Sequence, residues 1–91
     1  MYYVYLIESK NLDFLYVGST PDLRRRFFQH NNKKVLSTKH YVPFRLIYYE
    51  AYAHRKDALA WEQKLKHHGS VMGHLKKRLK FSRLNKSKGR G

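Results

Sequence analysis

Hydrophobic positions along this chain change period several times, and each change marks a new element. Residues 2–8 (YYVYLIE) are apolar or aromatic on both faces, the pattern of a strand covered on both sides. A polar turn over residues 9–13 leads into a second strand over residues 14–18. So short a connection makes the two an antiparallel hairpin. From Ser19 the period lengthens: Leu23, Arg26, Phe27 and His30 fall three and four apart, on one face of a helix ending near Asn31 or Asn32. Arg24 and Arg25 point elsewhere. Thr20 can cap this helix, Pro21 suits its first position, and Asp22 complements the positive end of its dipole.

Residues 32–42 form a polar, basic loop closed by Pro43, and residues 44–52 (FRLIYYEAY) a third strand. A second helix opens over residues 54–57 and runs from Ala58 to about His68, striped by Ala58, Trp61 and Leu65. Gly69 and Ser70 interrupt it, with Ser70 as a cap. Met72, Leu75 and Leu79 then recur at helical spacing in a short basic helix, and from Arg83 the chain reads as a disordered basic tail. The sequence thus predicts one α+β domain over residues 1–82, a three-stranded antiparallel sheet flanked by helices in the order β-β-α-β-α-(α).

Composition adds a partner to this fold. At 91 residues, with 42% apolar and 15% aromatic side chains, the chain supports one economical core. Twenty Lys and Arg against six Asp and Glu leave a net charge of +14, a field that favours polyanions. Nucleic acid is the expected partner, although an anionic membrane surface or ribosomal RNA would answer the same field. With no cysteine, disulfides and thiolate zinc sites are excluded. The start lacks a signal peptide's charged and apolar regions, and no apolar run approaches the roughly 20 residues of a membrane span. A cytoplasmic protein without membrane association is expected.

The chain contains no H-E-x-x-H, no carboxylate cluster and no Gly-rich phosphate cradle. Glu8, Asp13, Asp22 and Asp57 take turn or helix-start positions, which leaves Glu50 and Glu62 as candidate ligands. A metal here would complete its shell with water and substrate phosphate, which suits Mg²⁺.

Four segments in order carry the remaining signal: Val4-Tyr5-Leu6, then Tyr16-Val17-Gly18-Ser19-Thr20, then LRRRFFQHN over residues 23–31, then a late helical ALAWEQKLK. The set resembles the GIY-YIG nuclease superfamily, in particular its small standalone single-domain members, and more distantly the incision domain of bacterial excision-repair nucleases. The resemblance covers residues 2–66. It implies that Tyr5 and Tyr16 are the tyrosines of the two motifs, Arg26 the catalytic arginine, and Glu62 the ligand of a single Mg²⁺ or Mn²⁺ ion. His30 falls where the family often has His or Tyr, and Gly18 where a glycine lets substrate approach the backbone. Val4 and Leu6 depart from the first motif without touching its chemistry. Ser19 replaces a lysine of the excision-repair relatives, and their asparagine after the glutamate helix has no match here. Both departures weigh against a repair-type incision specificity.

Phosphodiester hydrolysis needs a deprotonated water in line with the leaving oxygen and a group to hold the developing charge. Arg26 offers a permanent forked donor. A tyrosine is a poor base at its free pKa of about 10, so a neighbouring cation or metal must assist it. Tyr5 is the first choice of base, Tyr16 would orient water or phosphate, and His30 could share the proton transfer; the order of the two tyrosines stays open. Plainer readings exist: both tyrosines as ordinary strand residues, His30 as a hydrogen-bonded helix histidine, Glu62 with Lys66 as an i, i+4 pair. Gly18, Ser19, Arg24 and Arg25 are assigned to nucleic-acid binding, Arg24 and Arg25 as residues that are either solvated or positioning phosphate. Lys76, Lys77, Arg78 and Lys80, four charges in five residues, are assigned to a nucleic-acid clamp.

The predicted function is a metal-dependent endonuclease, monomeric, acting on DNA rather than RNA, on branched, flapped or single-stranded substrates. The alternative is a nucleic-acid-binding module of the same fold that cleaves poorly or acts with a partner. A structural RNA-binding role accounts for the charge but not for a helical Glu beside an Arg.

Overall fold

The computed structural model describes residues 1–83. Strand β1 (Tyr2–Ser9) lies at the centre of a three-stranded antiparallel sheet, between β2 (Leu15–Thr20) and β3 (Phe44–Tyr52). Its central place explains the continuous apolar run: Val4 through Ser9 are all buried, with helices on both faces. Helix α1 (Leu23–Asn31) covers one face. There it joins Tyr5, Ile7 and Phe44 with Tyr16, Leu23 and Phe27 in one apolar cluster. Helices α2 (Arg55–His67) and α3 (Gly69–Arg78) cover the other, where Val4, Leu6, Val17 and Ile47 meet Ala58, Leu65 and Leu75. The predicted order of elements is the observed one.

Four local details differ from the sequence reading. β2 continues two residues further, through Ser19 and Thr20, because both pair with β1 at Val4 and Tyr3. Asp22, not Thr20, caps α1 by accepting from the Arg25 N–H at 3.1 Å. Thr20 instead takes the Asp22 N–H at 3.1 Å, so Pro21 stands outside the helix. His54 caps α2 through its imidazole, whose Nδ1 accepts from the Lys56 N–H at 3.1 Å. α3 begins at Gly69, so Ser70 is already inside it and His68 occupies the cap position.

A bulge on β3 was not legible in the chain. Leu6 pairs with Tyr48 and Ile7 with Leu46, so Ile47 is the extra residue. As a result Leu46 and Tyr49, an odd number of residues apart, face the α1 side together.

The loop after α1 is less polar in place than in composition. It contains a short 3-10 helix (Lys39–Tyr41), and Val35 and Thr38 before that helix are buried. Asn31 ties its end to β3: the Phe44 N–H donates to Asn31 Oδ1 at 2.6 Å, and Asn31 Nδ2 to the Phe44 carbonyl at 3.2 Å.

The last described residue makes an ion pair. Arg83 Nη2 lies 3.3 Å from Oε2 of Glu8, a carboxylate buried at the end of β1. The rest of the disordered tail expected from residue 83 lies outside the described residues. Among the described residues no helix is long and apolar enough to cross a membrane.

Candidate active site

Edge strand β2 carries the site. Tyr5 on β1 pairs with Gly18, and Ile7 with Tyr16, so Tyr5 and Tyr16 project from the α1 face. Their ring centroids are 6.4 Å apart. The Tyr5 ring lies across Gly18: a Cβ on that glycine would stand 2.4 Å from the Tyr5 hydroxyl and 2.6 Å from Cζ. Gly18 therefore makes room for the tyrosine. The space expected for approaching substrate is filled by Tyr5 itself.

Tyr5 and His30 are both fully buried, and the phenol oxygen lies 2.7 Å from His30 Nε2. The other ring nitrogen, Nδ1, is 2.8 Å from Oγ1 of Thr38, which also has no exposed surface. The Thr38 hydroxyl points to the Val35 carbonyl at 3.5 Å. One direction of donation leaves every group with a partner: Tyr5 O–H to Nε2, Nδ1–H to Thr38, Thr38 O–H to Val35. Thr38 thus holds His30 in the tautomer that presents a bare nitrogen to the tyrosine.

Electrostatics follow from this burial. Desolvation pushes the Tyr5 phenol up to about 12; the Arg26 guanidinium beside it pulls the other way, while charge on Tyr16 and Glu62 adds to the rise. Desolvation also pulls His30 down to about 4, helped by the positive charge of Arg26. Both groups are consequently neutral near pH 7. The unfolded chain takes up a proton on this histidine below pH 6.5, whereas the folded protein does so only near pH 4. Stability is therefore expected to fall as pH drops from 6.5 to 4, by on the order of 3 kcal/mol, and to gain nothing from this group above 6.5. Urea unfolding of wild type and His30→Gln across that range measures the difference, and equal pH slopes would rule out a buried neutral imidazole.

Arg26 is held in place by Gln29, whose side-chain oxygen accepts from Nη1 at 3.2 Å. On the opposite face of β2, Ser19 pairs with Val4 and its hydroxyl donates to Glu62 Oε1 at 3.0 Å. The second carboxylate oxygen, Oε2, lies 2.9 Å from Lys66 Nζ. Glu62 is 7% exposed. Lys66, at 38%, can swing into solvent. Ser19 therefore orients the glutamate, where the sequence assigns it to nucleic acid. Gly18 and Ser19, adjacent on β2, face opposite sides of the sheet and link Tyr5 to Glu62.

Other predicted residues lie apart. Arg24 and Arg25 are exposed on α1. Lys76, Lys77, Arg78 and Lys80 are exposed at the end of α3, whose apolar side packs on the α2 face and away from Tyr5 and His30. Thr38 and Gln29 escaped sequence reasoning. Thr38 stands in a polar basic loop and Gln29 in a cationic helix, so neither has a local signal; only their partners give them roles.

Comparison with known proteins places the chain among relatives. A family model described as the GIY-YIG catalytic domain matches residues 1–74. A UPF0213 protein of Halalkalibacterium halodurans is 36% identical over 67 residues, 72% of this chain and 70% of its own length. One from Lacticaseibacillus paracasei is 37% identical over 67 residues, 72% of this chain and 74% of its own. The solution structure of the UPF0213 protein BH0048 from Bacillus halodurans superposes with a TM-score of 0.53 at 30% identity, covering 87% of each chain.

Proposed function

The chain belongs to the GIY-YIG catalytic-domain family, and from that premise we propose that it is a metal-dependent endonuclease hydrolysing phosphodiester bonds in DNA. The observation that carries the reading is the buried Tyr5–His30–Thr38 chain beside Arg26, with Glu62 behind the same strand. A sheet tyrosine needs no such support for packing. A proton relay does.

In the proposed reaction an attacking water gives its proton to the Tyr5 oxygen as Tyr5 passes its own to His30 Nε2. The low proton affinity of His30 stems from burial and from Arg26, and an incoming phosphate raises it by the same electrostatics in reverse. Arg26 holds a phosphate oxygen as charge develops. Tyr16 is half-buried and its hydroxyl has no hydrogen-bond partner among the described residues, so it is available to orient the water or the phosphate. This asymmetry favours Tyr5 as the base.

Among the described residues no three His, Cys, Asp or Glu cluster as a metal cage. Glu62 would be the protein's one carboxylate ligand, and a hard carboxylate oriented by Ser19, beside a lysine able to leave, suits Mg²⁺ or Mn²⁺ with a shell of waters. Such an ion, when bound, polarises the phosphate and stabilises the leaving oxygen. The exposed cations of α1 and α3 would grip the phosphate backbone, and their screening by salt makes binding ionic-strength dependent. All five proposed catalytic residues come from one chain, so the reading calls for no second copy.

A cleavage screen tests the proposal. Duplex, single-stranded, flap and junction DNA, and RNA, are offered with Mg²⁺, with Mn²⁺ and with chelator. Cutting of DNA is expected only with metal, and is expected to vanish in Glu62→Ala. Undiminished cutting by that variant would remove Glu62 from the site. Tight binding of every substrate with no cutting would support a binding module of this fold.

A further inference from the structure

α1 does not cover the whole of its face of the sheet. Toward outer strand β3 a groove of about 390 Å³ stays open, floored by Tyr3, Leu46 and Tyr49 and walled by Leu23, Phe27 and Arg24 of the helix. The bulge at Ile47 creates this floor, because it brings Leu46 and Tyr49 onto one face. Tyr49 is the cross-strand neighbour of Tyr5 and is 54% exposed.

Ring geometry, charge and position narrow the occupant. Tyr3 and Tyr49 meet edge to face, centroids 6.0 Å apart at 61°. An edge-to-face pair covers only one ring face, so aromatic faces remain open to the groove. The exposed cation on its wall is Arg24, and the whole chain carries +14. Asp22, the acid at the groove's end, is already engaged by the Arg25 N–H. A ligand that is flat and aromatic on one side and anionic on the other matches these surfaces. A nucleotide has that chemistry, but only when its base is unpaired and out of the stack, since a duplex hides its base faces.

We propose that this groove is a nucleobase-binding subsite: an unpaired base stacks on Tyr49 while Arg24 holds the phosphate attached to it. The proposal rests on the nuclease reading for its link to the reaction, and it makes the preferred substrate one with an unpaired base close to the scissile phosphate. A purely structural role for the Tyr3–Tyr49 pair would stabilise the sheet and leave binding unchanged.

Equilibrium binding in chelator separates these cases without cutting. Three labelled probes are used: a short single-stranded DNA, the same strand carrying abasic sites, and a duplex. Tyr49→Ala is expected to weaken binding of the intact single strand about 5- to 150-fold, the worth of one stacked base. Binding of the abasic strand and the duplex should change little. Tyr49→Phe should bind as wild type does, and Arg24→Ala should lower the slope of log affinity against log salt by roughly one for every probe. Equal affinity of wild type and Tyr49→Ala for the intact strand overturns the subsite and leaves the nuclease reading standing. A uniform loss on all three probes also overturns it, since that is the signature of a damaged fold. So does concentration-dependent dimerisation abolished by Tyr49→Ala with binding intact, which would make a second copy the occupant. Failure of wild type to bind any probe would count against both readings.

Discussion

Cleavage by a Tyr5→Phe protein is expected to fall about 10²- to 10⁴-fold below wild type, the range for loss of a positioned proton carrier. The ring is buried over Gly18, and phenylalanine keeps that packing. What disappears is the hydroxyl that faces His30 Nε2 at 2.7 Å. The imidazole nitrogen then has no donor, and leaving it buried and unsatisfied should cost about 1–3 kcal/mol of stability. Tyr16→Phe supplies the contrast, because its hydroxyl has no partner to strand. It should lower the cleavage rate with almost no change in unfolding free energy. Single-turnover rates and urea titrations of the two variants decide the matter. A Tyr5→Phe protein that cuts at the wild-type rate would move the base to Tyr16.

The second large effect comes from Gly18→Ala. Its new Cβ would stand 2.4 Å from the Tyr5 hydroxyl, 2.6 Å from Cζ and 2.9 Å from Cε1, closer than carbon atoms pack. Two ring carbons and the hydroxyl oxygen are too close at once, so the side chain as a whole must move. Tyr5 is fully buried among Ile7, Phe44 and their neighbours, where there is little room to yield. Overpacking of this kind costs about 1–3 kcal/mol, and displacing the ring breaks the bond to His30. Gly18→Ala should therefore lose cleavage as severely as Tyr5→Phe although residue 18 bears no functional group. The clash also predicts non-additivity. In a Tyr5→Ala background the ring is absent, and Gly18→Ala should cost almost no further stability. Simple addition of the two losses, measured by denaturant unfolding, would show that the ring has somewhere to go.

The plainer readings of two residues turn out to describe real contacts. Glu62 does pair with Lys66, at 2.9 Å, as an ordinary i, i+4 couple would. Its burial and its bond to Ser19 across the β2 face are what that reading omits. His30 is a hydrogen-bonded helix histidine, yet its partners are a tyrosine of the central strand and a threonine of the loop that follows α1. Neither contact depends on helix periodicity.

What the sequence by itself determined is whatever depends on local period and charge. The doubly apolar run of β1, the stripe of Leu23, Phe27 and His30, and the surplus of cations were legible because burial on a strand or helix writes itself at period 2.0 or 3.6. The order of motifs identified Tyr5, Tyr16, Arg26 and Glu62 as candidates. Their arrangement was settled by tertiary structure alone. Whether Gly18 serves substrate or tyrosine depends on what crosses it from the neighbouring strand. Whether Ser19 meets phosphate or glutamate depends on a helix 43 residues further along the chain. Thr38, in a loop that reads as solvated, is buried and bonded to His30 where the loop passes. The Ile47 bulge adds a single residue to β3, and with it the face on which Leu46 and Tyr49 meet. Contacts of this kind join residues far apart in the chain, so no local pattern records them.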